Sequence, residues 1–261
     1  MKIPGWVRSY LTGDRGRRIE DIIGAPLGKP LGCAHFGCVF EWIQPWVVKI
    51  TRDPTEGQVW SFIKQFYDSG EWEGREGVVV VKRIVRLHPD VEWKGKLWPV
   101  HLIIREEVLP AFDRKHGHTL WQQQLYSISD ESMRRIERNN YVATELHQTD
   151  NALKKFKNGA EAYHKAINKK RPRQYEIERA EDVCTEALNR FRGATSGHLG
   201  EFLGAMMLRK LVLRDVHSYN VGWRIHDEME MHKGLVVFDP GHTPTDRGGK
   251  IEEVRLNPRR Y

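Results

Sequence analysis

The chain has 261 residues, of which 30% are charged and 39% are hydrophobic, which is enough for one large domain or two lobes with a substantial core. Its 42 Lys and Arg residues against 35 Asp and Glu give a formal net charge of +7, which suits an anionic ligand such as a nucleotide or a nucleic acid. No apolar run is long enough for a signal peptide or a membrane helix, so a cytoplasmic protein without membrane association is expected.

The cysteines are Cys33, Cys38 and Cys184, an odd number without Cys-x-x-Cys spacing. This count supports neither a disulfide framework nor a zinc ribbon. Any bound metal is therefore expected to have oxygen ligands.

Two strands joined by a glycine-containing turn are predicted within residues 30–40. The small residues of this segment are Gly32, Ala34 and Gly37, and Val39 follows them. Glycines in such a turn allow backbone amides to approach a phosphate closely, which larger side chains would obstruct. An ordinary hairpin that uses glycine in its turn is the alternative interpretation.

Lys49 lies in the next apolar run, residues 46–50. A lysine among apolar strand residues must extend its amino group to solvent or bind an anionic partner. Thr55 is predicted to cap a helix over residues 56–66, in which apolar side chains recur at helical spacing. Glu56 lies in the first turn of that helix, where a carboxylate complements the helix dipole.

Two further strands are predicted at residues 77–87 and 97–104, joined by a polar turn over residues 88–96. Together with the earlier elements they make five strands and one helix. The last strand continues into a charged segment, residues 105–110.

The chain is predicted to be helical between residues 111 and 210. Apolar side chains at helical spacing indicate buried helix faces; they are Trp121, Leu125, Ile128, Ala180, Val183, Ala187, Leu188, Phe191, Leu199, Phe202, Leu203, Met206 and Met207. A basic stretch occupies residues 154–173. A solvated helix face is the favoured interpretation of this stretch, and a surface for a nucleic acid or another anionic partner is the alternative.

Carboxylates and an amide lie at the ends of two short apolar runs that follow. Asp215 and Asn220 are five residues apart, and Asp239 comes directly after the run 234–238. Residues 221–225 and 234–238 are predicted to pair as a hairpin, which would bring Asn220 and Asp239 to the same end of two strands. Such a set of ligands suits a divalent metal that bridges phosphates, so the pattern indicates phosphoryl transfer.

In their order along the chain, these segments resemble the motifs of the protein-kinase superfamily. The glycine turn is similar to the G-x-G-x-x-G-x-V loop, and the strand that contains Lys49 is similar to V-A-I-K. The later segments are similar to the catalytic loop and to D-F-G. The matching positions there are Arg214, Asp215, Asn220, Asp239 and Gly241.

The resemblance implies an ATP- and Mg²⁺-dependent kinase that transfers the γ-phosphate to a hydroxyl group. Asp215 would accept or orient the proton of the acceptor hydroxyl, while Asn220 and Asp239 would hold Mg²⁺. Lys49, positioned by Glu56, would bind the α- and β-phosphates.

The resemblance also implies the other contacts to ATP. The loop residues Gly32, Ala34, Gly37 and Val39 would cover the phosphates, and the backbone from Glu106 to Val108 would form a hinge that binds adenine. His217 would either contact the γ-phosphate or pack within the catalytic loop.

Three positions depart from the kinase pattern. Ala34 replaces the middle glycine of the loop, Leu213 replaces the His of H-R-D, and Pro240 replaces the Phe of D-F-G. The glycine loop and the Arg-Asp pair are similar to a compact atypical Ser/Thr protein kinase, which is the favoured interpretation. Asp-x-His-x-x-Asn is similar to aminoglycoside and choline phosphotransferases, which are small-molecule kinases. A pseudokinase that binds a protein or nucleic acid, and a nucleotidyl transferase, are the remaining alternatives.

The fold that the resemblance implies is α+β and bilobal, with a five-stranded antiparallel small lobe that carries one helix. Residues 1–20 are expected to be an N-terminal extension, and residues 21–110 the nucleotide-binding lobe and hinge. Residues 111–261 are expected to form a mainly helical large lobe with a truncated C-terminus. That lobe would contain the catalytic loop 213–222 and the metal-binding Asp239-Pro240-Gly241.

Overall fold

The computed structural model describes residues 2–12, 19–72, 77–111, 132–191, 197–224 and 235–240, with the backbone alone for 132–146 and 224. The architecture is α+β, as the sequence predicts. The chain divides into two compact units. The first comprises Met1–Gly74 and Val79–Glu107, and the second comprises Arg75–Val78 and Val108–Tyr261.

The first unit contains the predicted five-stranded antiparallel sheet, with strand order β1-β2-β3-β5-β4. The strands are β1 (Pro30–Cys33), β2 (Gly37–Glu41), β3 (Trp46–Thr51), β4 (Val81–Trp93) and β5 (Lys96–Glu106).

The predicted polar turn over residues 88–96 is wrong, because residues 88–93 continue strand β4. The turn contains only Lys94 and Gly95, whose φ angles are 51° and 71°. Two consecutive positive φ angles are typical of the tight two-residue turn that matches the twist of a hairpin. Strands β4 and β5 therefore extend further than predicted, because a turn of only two residues joins them.

Helices α1 (Gly5–Leu11) and α2 (Pro54–Asp68) cover opposite faces of this sheet. Val7 and Tyr10 of α1 belong to the same buried cluster as Val48 and Ile50 of β3. Lys49 alternates with those two residues and contacts α2 on the other face. Residues expected to form an N-terminal extension therefore contribute to the core of this unit.

Helix α2 begins two residues earlier than predicted, and Asp53 caps it instead of Thr55. The Asp53 carboxylate accepts hydrogen bonds from the backbone N–H groups of Thr55, at 2.9 Å, and Glu56, at 3.3 Å. Pro54 occupies the first helical position, where its fixed φ and missing N–H are tolerated.

The second unit combines a three-stranded antiparallel sheet with long helices. Its strands are β6 (Val108–Pro110), β7 (Val221–Arg224) and β8 (Leu235–Val237), in that order. Its helices are α3 (Ser132–Ile167), α4 (Gln174–Leu188), α5 (Gly197–Leu208) and the 3₁₀ helix Ser218–Asn220.

The predicted apolar stripes near α4 and α5 are buried in part. Of the first stripe, Ala180, Ala187 and Phe191 are buried, whereas Val183 and Leu188 are partly exposed. Helix α5 buries Leu199, Phe202, Leu203 and Met206, whereas Met207 is partly exposed. The stripe of Trp121, Leu125 and Ile128 lies outside the described residues. No helix in the described ranges is long and apolar enough to cross a membrane.

Candidate functional site

The glycine turn joins β1 to β2 and is tethered to the end of β3. The carbonyl of Phe36 accepts a hydrogen bond from the Arg52 backbone N–H at 2.8 Å, and Arg52 Nη2 donates to the carbonyl of His35 at 3.2 Å. Within the turn, the Ala34 N–H donates to the carbonyl of Gly37 at 2.8 Å. The turn therefore has a defined backbone, and the Ala34 amide is engaged inside it.

The two glycines of this turn have different steric surroundings. A Cβ atom on Gly37 would lie 2.5 Å from the carbonyl oxygen of Ile50, so the close pairing of β2 with β3 requires glycine there. A Cβ atom on Gly32 would meet nothing within 4 Å. Packing within the chain therefore explains why residue 37 is glycine, but it does not explain why residue 32 is glycine.

A disulfide joins Cys33 to Cys38 across the base of the turn. The two residues are direct partners in the β1–β2 pairing, which brings their side chains together on one face. The interpretation that the cysteines support no disulfide framework therefore missed this bond. The count and spacing of the cysteines could not show it, because cross-strand register decides which cysteines meet.

Lys49 and Glu56 form a buried ion pair in the first unit. Lys49 Nζ lies 2.6 Å from Glu56 Oε1, and the two side chains are 9% and 2% exposed. Glu56 Oε1 also accepts a hydrogen bond from Trp60 Nε1 at 3.4 Å. In the strand pairing, Lys49 is the direct partner of Val39, so the lysine lies beside the β2 strand that leaves the glycine turn.

The segment predicted to be a hinge is largely hydrogen-bonded within the first unit. The Glu106 N–H donates to the carbonyl of Val80 at 2.9 Å, and the Glu107 N–H donates to the carbonyl of Pro45 at 2.8 Å. Val108 begins strand β6, in which it pairs with Arg224. The backbone N–H groups of Glu106 and Glu107 are therefore already engaged.

Residues 211–220, which contain most of the predicted catalytic loop 213–222 and are called the catalytic-loop segment below, follow the end of helix α5. The N–H of Leu211 donates to the carbonyl of Met206, and the N–H of Lys210 donates to the carbonyl of Met207. Lys210 has φ 60°, so the helix ends in a Schellman motif with lysine in the left-handed position. Residues 211–213 are buried, and Asp215, two residues further along, is partly exposed.

Hydrogen bonds within the loop hold Asn220 and His217. Asn220 Nδ2 donates to the backbone carbonyl of Asp215 at 2.7 Å. His217 Nδ1 accepts from the Tyr219 N–H at 3.2 Å, which caps the 3₁₀ helix. His217 Nε2 lies 3.3 Å from Asn220 Nδ2 and 3.7 Å from Asp215 Oδ1.

The hairpin of β7 and β8 places Asn220 beside Asp239. Val221 pairs with Val237, and the carbonyl of Asn220 accepts from the N–H groups of Phe238, at 3.0 Å, and Asp239, at 3.4 Å. Asn220 Nδ2 donates a hydrogen bond within the loop, so Asn220 Oδ1 is the side-chain atom that could ligate a cation. Gly241, the last residue of the D-F-G match, lies outside the described residues.

Three of the eight Lys and Arg residues of the basic stretch form ion pairs with carboxylates. Lys154 binds Asp150, Lys155 binds Glu186, and Lys169 binds Glu176 at 2.6 Å. These contacts favour the interpretation of residues 154–173 as a solvated, ion-paired helix surface.

One residue of this unit was not singled out from the sequence. His164 of α3 is 7% exposed, and its Nε2 lies 2.8 Å from the carbonyl oxygen of Val212. The available signal was its position on the helix face that also buries Phe156 and Ala160, where a polar residue needs a hydrogen-bond partner.

No protein-family model matches this sequence, and no curated protein is significantly similar to it. The resemblance to the kinase superfamily therefore rests on the sequence motifs alone.

Proposed function

We propose that this chain is an ATP- and Mg²⁺-dependent phosphotransferase of the protein-kinase-like bilobal fold, which transfers the γ-phosphate of ATP to a hydroxyl group. The observation that carries the proposal is the arrangement in the second unit. There, Asn220 and Asp239 are adjacent at one end of the hairpin, and the Asn220 side chain is tied to the backbone of Asp215.

The donor set of this arrangement fits magnesium. An amide oxygen and a carboxylate are hard ligands of the kind that Mg²⁺ takes together with water and phosphate oxygens. Bound there, Mg²⁺ would neutralise charge on the phosphates. Phosphate oxygens and water would complete the coordination.

Asp215 is the catalytic residue of this proposal. Its carboxylate would orient the acceptor hydroxyl and take its proton. The ring nitrogens of His217 contact the Tyr219 N–H and Asn220 Nδ2, which favours the interpretation in which His217 packs within the catalytic loop.

The first unit would bind the nucleotide. Lys49, fixed by Glu56, supplies a positive charge for the α- and β-phosphates, and Gly32 allows close approach of a phosphate to the turn. With the amides of Glu106 and Glu107 engaged, the hinge would bind adenine through backbone carbonyls or the Val108 amide.

Transfer from labelled ATP tests the proposal. With Mg²⁺, label from the γ position should appear on the protein, a co-purifying protein or a small hydroxyl compound, and label from the α position should not. Asp239→Ala and Asp215→Asn should each reduce transfer at least about 100-fold while unfolding stays cooperative. Asp182→Asn, which removes an exposed carboxylate of α4, is the matched control and should keep full activity.

The outcomes separate the alternatives. Full transfer by Asp239→Ala would contradict the metal assignment, and label from the α position would indicate nucleotidyl transfer. Nucleotide binding without transfer would indicate a pseudokinase that acts as a binding module.

The acceptor is a Ser or Thr of a protein or a small molecule. The Asp-x-His-x-x-Asn spacing, together with the paired helices α3 and α4 before the catalytic loop, favours a small-molecule acceptor as the second candidate. Separation of labelled protein from labelled small molecules after the reaction decides between the two.

A further inference from the structure

The catalytic-loop segment is tied to helix α3 by the side chain of His164. His164 is 48 residues before Val212 in sequence, yet its Nε2 lies 2.8 Å from the Val212 carbonyl oxygen in a buried position. A carbonyl oxygen only accepts, so Nε2 carries the proton of this hydrogen bond. Val212 is 1% exposed, so water cannot replace the imidazole without rearrangement of the segment.

Two side chains thus hold the backbone on either side of the proposed catalytic residue. His164 binds the carbonyl of Val212, and Asn220 binds the carbonyl of Asp215. Leu213 is fully buried and has no hydrogen-bonding side chain. The imidazole of His164, from helix α3, therefore holds the backbone next to Leu213, whose own side chain cannot form a hydrogen bond.

We propose that His164 is a positioning residue, which fixes the backbone of residues 211–215 so that the Asp215 carboxylate is held in a productive orientation. The proposal rests on the proposed phosphotransferase function. A purely structural His164 would stabilise the second unit as a whole, whereas a positioning His164 controls this segment in particular.

Three substitutions distinguish these roles. His164→Gln places an amide N–H near the position of Nε2 and keeps the donor, while His164→Leu removes the donor in a side chain of similar size. His164→Asn keeps the amide chemistry but is one methylene shorter. Phe156→Leu changes another buried residue of α3 and is the control for general destabilisation.

The kinetic result expected is a selective loss of kcat. His164→Leu and His164→Asn should lower kcat about 10- to 100-fold and leave KM for ATP within about threefold, because loop geometry and not nucleotide binding changes. His164→Gln should recover most of the rate. Phe156→Leu should lower the melting temperature with little change in kcat below its transition. Equal kcat for the Gln and Asn variants would overturn the proposal.

Amide hydrogen exchange supplies a readout that does not need activity. In His164→Leu and His164→Asn, exchange of residues 211–220 should accelerate about tenfold or more relative to helix α4, and His164→Gln should restore protection. Uniform acceleration across the second unit, as expected for Phe156→Leu, would show a structural role only. If the wild-type chain transfers no phosphate, the proposed function fails, and the exchange pattern still decides whether His164 positions this segment.

Discussion

The two units hold their candidate functional groups by different means. In the first unit, Lys49 and Glu56 neutralise one another in a buried ion pair with side chains 9% and 2% exposed. In the second unit, the side chains of Asp215 and His217 are 36% and 26% exposed, and hydrogen bonds within the loop orient the surrounding groups. A buried charge depends on its partner for stability, whereas a partly hydrated carboxylate does not.

This difference has a consequence for mutations. Substitutions of the charged pair in the first unit should affect both folding and function. Substitutions of the carboxylates in the second unit should affect function with little change in stability. The glycine turn lies between these extremes, because one of its glycines is required by packing and the other is not.

The largest effect on stability is expected for the ion pair. Lys49→Met should lower the free energy of unfolding by about 3–5 kcal/mol, because the buried Glu56 carboxylate loses the lysine. Adding Glu56→Gln removes the charge, keeps an acceptor for Trp60 and should recover most of the loss. Denaturant unfolding of Lys49→Met and of the double variant measures these changes in the free energy of unfolding, and Asp215→Asn is the comparison. A loss below about 1 kcal/mol for Lys49→Met would contradict the contrast between the units.

The glycine turn allows a sharper comparison between packing and ligand binding. Gly37→Ala should lower the free energy of unfolding by about 1–3 kcal/mol, because its methyl group would meet the Ile50 carbonyl at 2.5 Å. Gly32→Ala should leave stability unchanged or slightly higher, since that position is open.

Nucleotide affinity then tests Gly32 separately from folding. If a phosphate approaches the turn there, Gly32→Ala should weaken binding of a non-hydrolysable ATP analogue at least about fivefold, or about 1 kcal/mol. Calorimetric titration gives this value. Unchanged affinity would show that Gly32 does not lie against a phosphate.

The disulfide offers the smallest of the three effects on stability. Loss of the Cys33–Cys38 bond, by reduction or in a double Cys→Ser variant, should lower the free energy of unfolding by up to about 2 kcal/mol, because the bond closes only a short loop.

Alkylation of the native protein shows directly which cysteines are free thiols. Without reductant almost no label should react, since burial raises the pKa of the Cys184 thiol to about 12 and the other two cysteines are bonded. Rapid labelling of Cys33 and Cys38 in unreduced protein would show that the bond is absent in solution.

Much of the candidate site could be predicted from local sequence. An apolar run identified the strand with Lys49, and the two apolar runs around residue 230 identified the hairpin that places Asn220 beside Asp239. Each of these patterns lies within a few consecutive residues, so the side chains of a single strand or turn are enough to indicate it.

Other features needed contacts between distant residues. The contact of His164 with Val212 depends on how helix α3 is rotated against the loop, and the sequence contains no spacing that encodes it. The cap of α2 by Asp53 instead of Thr55 depended on which of two suitable side chains the backbone places at the helix start.

The sequence by itself determined the α+β class, the five antiparallel strands of the first unit and the polar residues that end the β7–β8 hairpin. Tertiary structure alone decided the pairing of Cys33 with Cys38, the burial of α1 in the core and the anchoring of the catalytic-loop segment by His164. The physical reason is that amphipathic periodicity records which face of an element is buried, while strand register and helix rotation, which set the partner of each side chain, depend on packing of the whole unit.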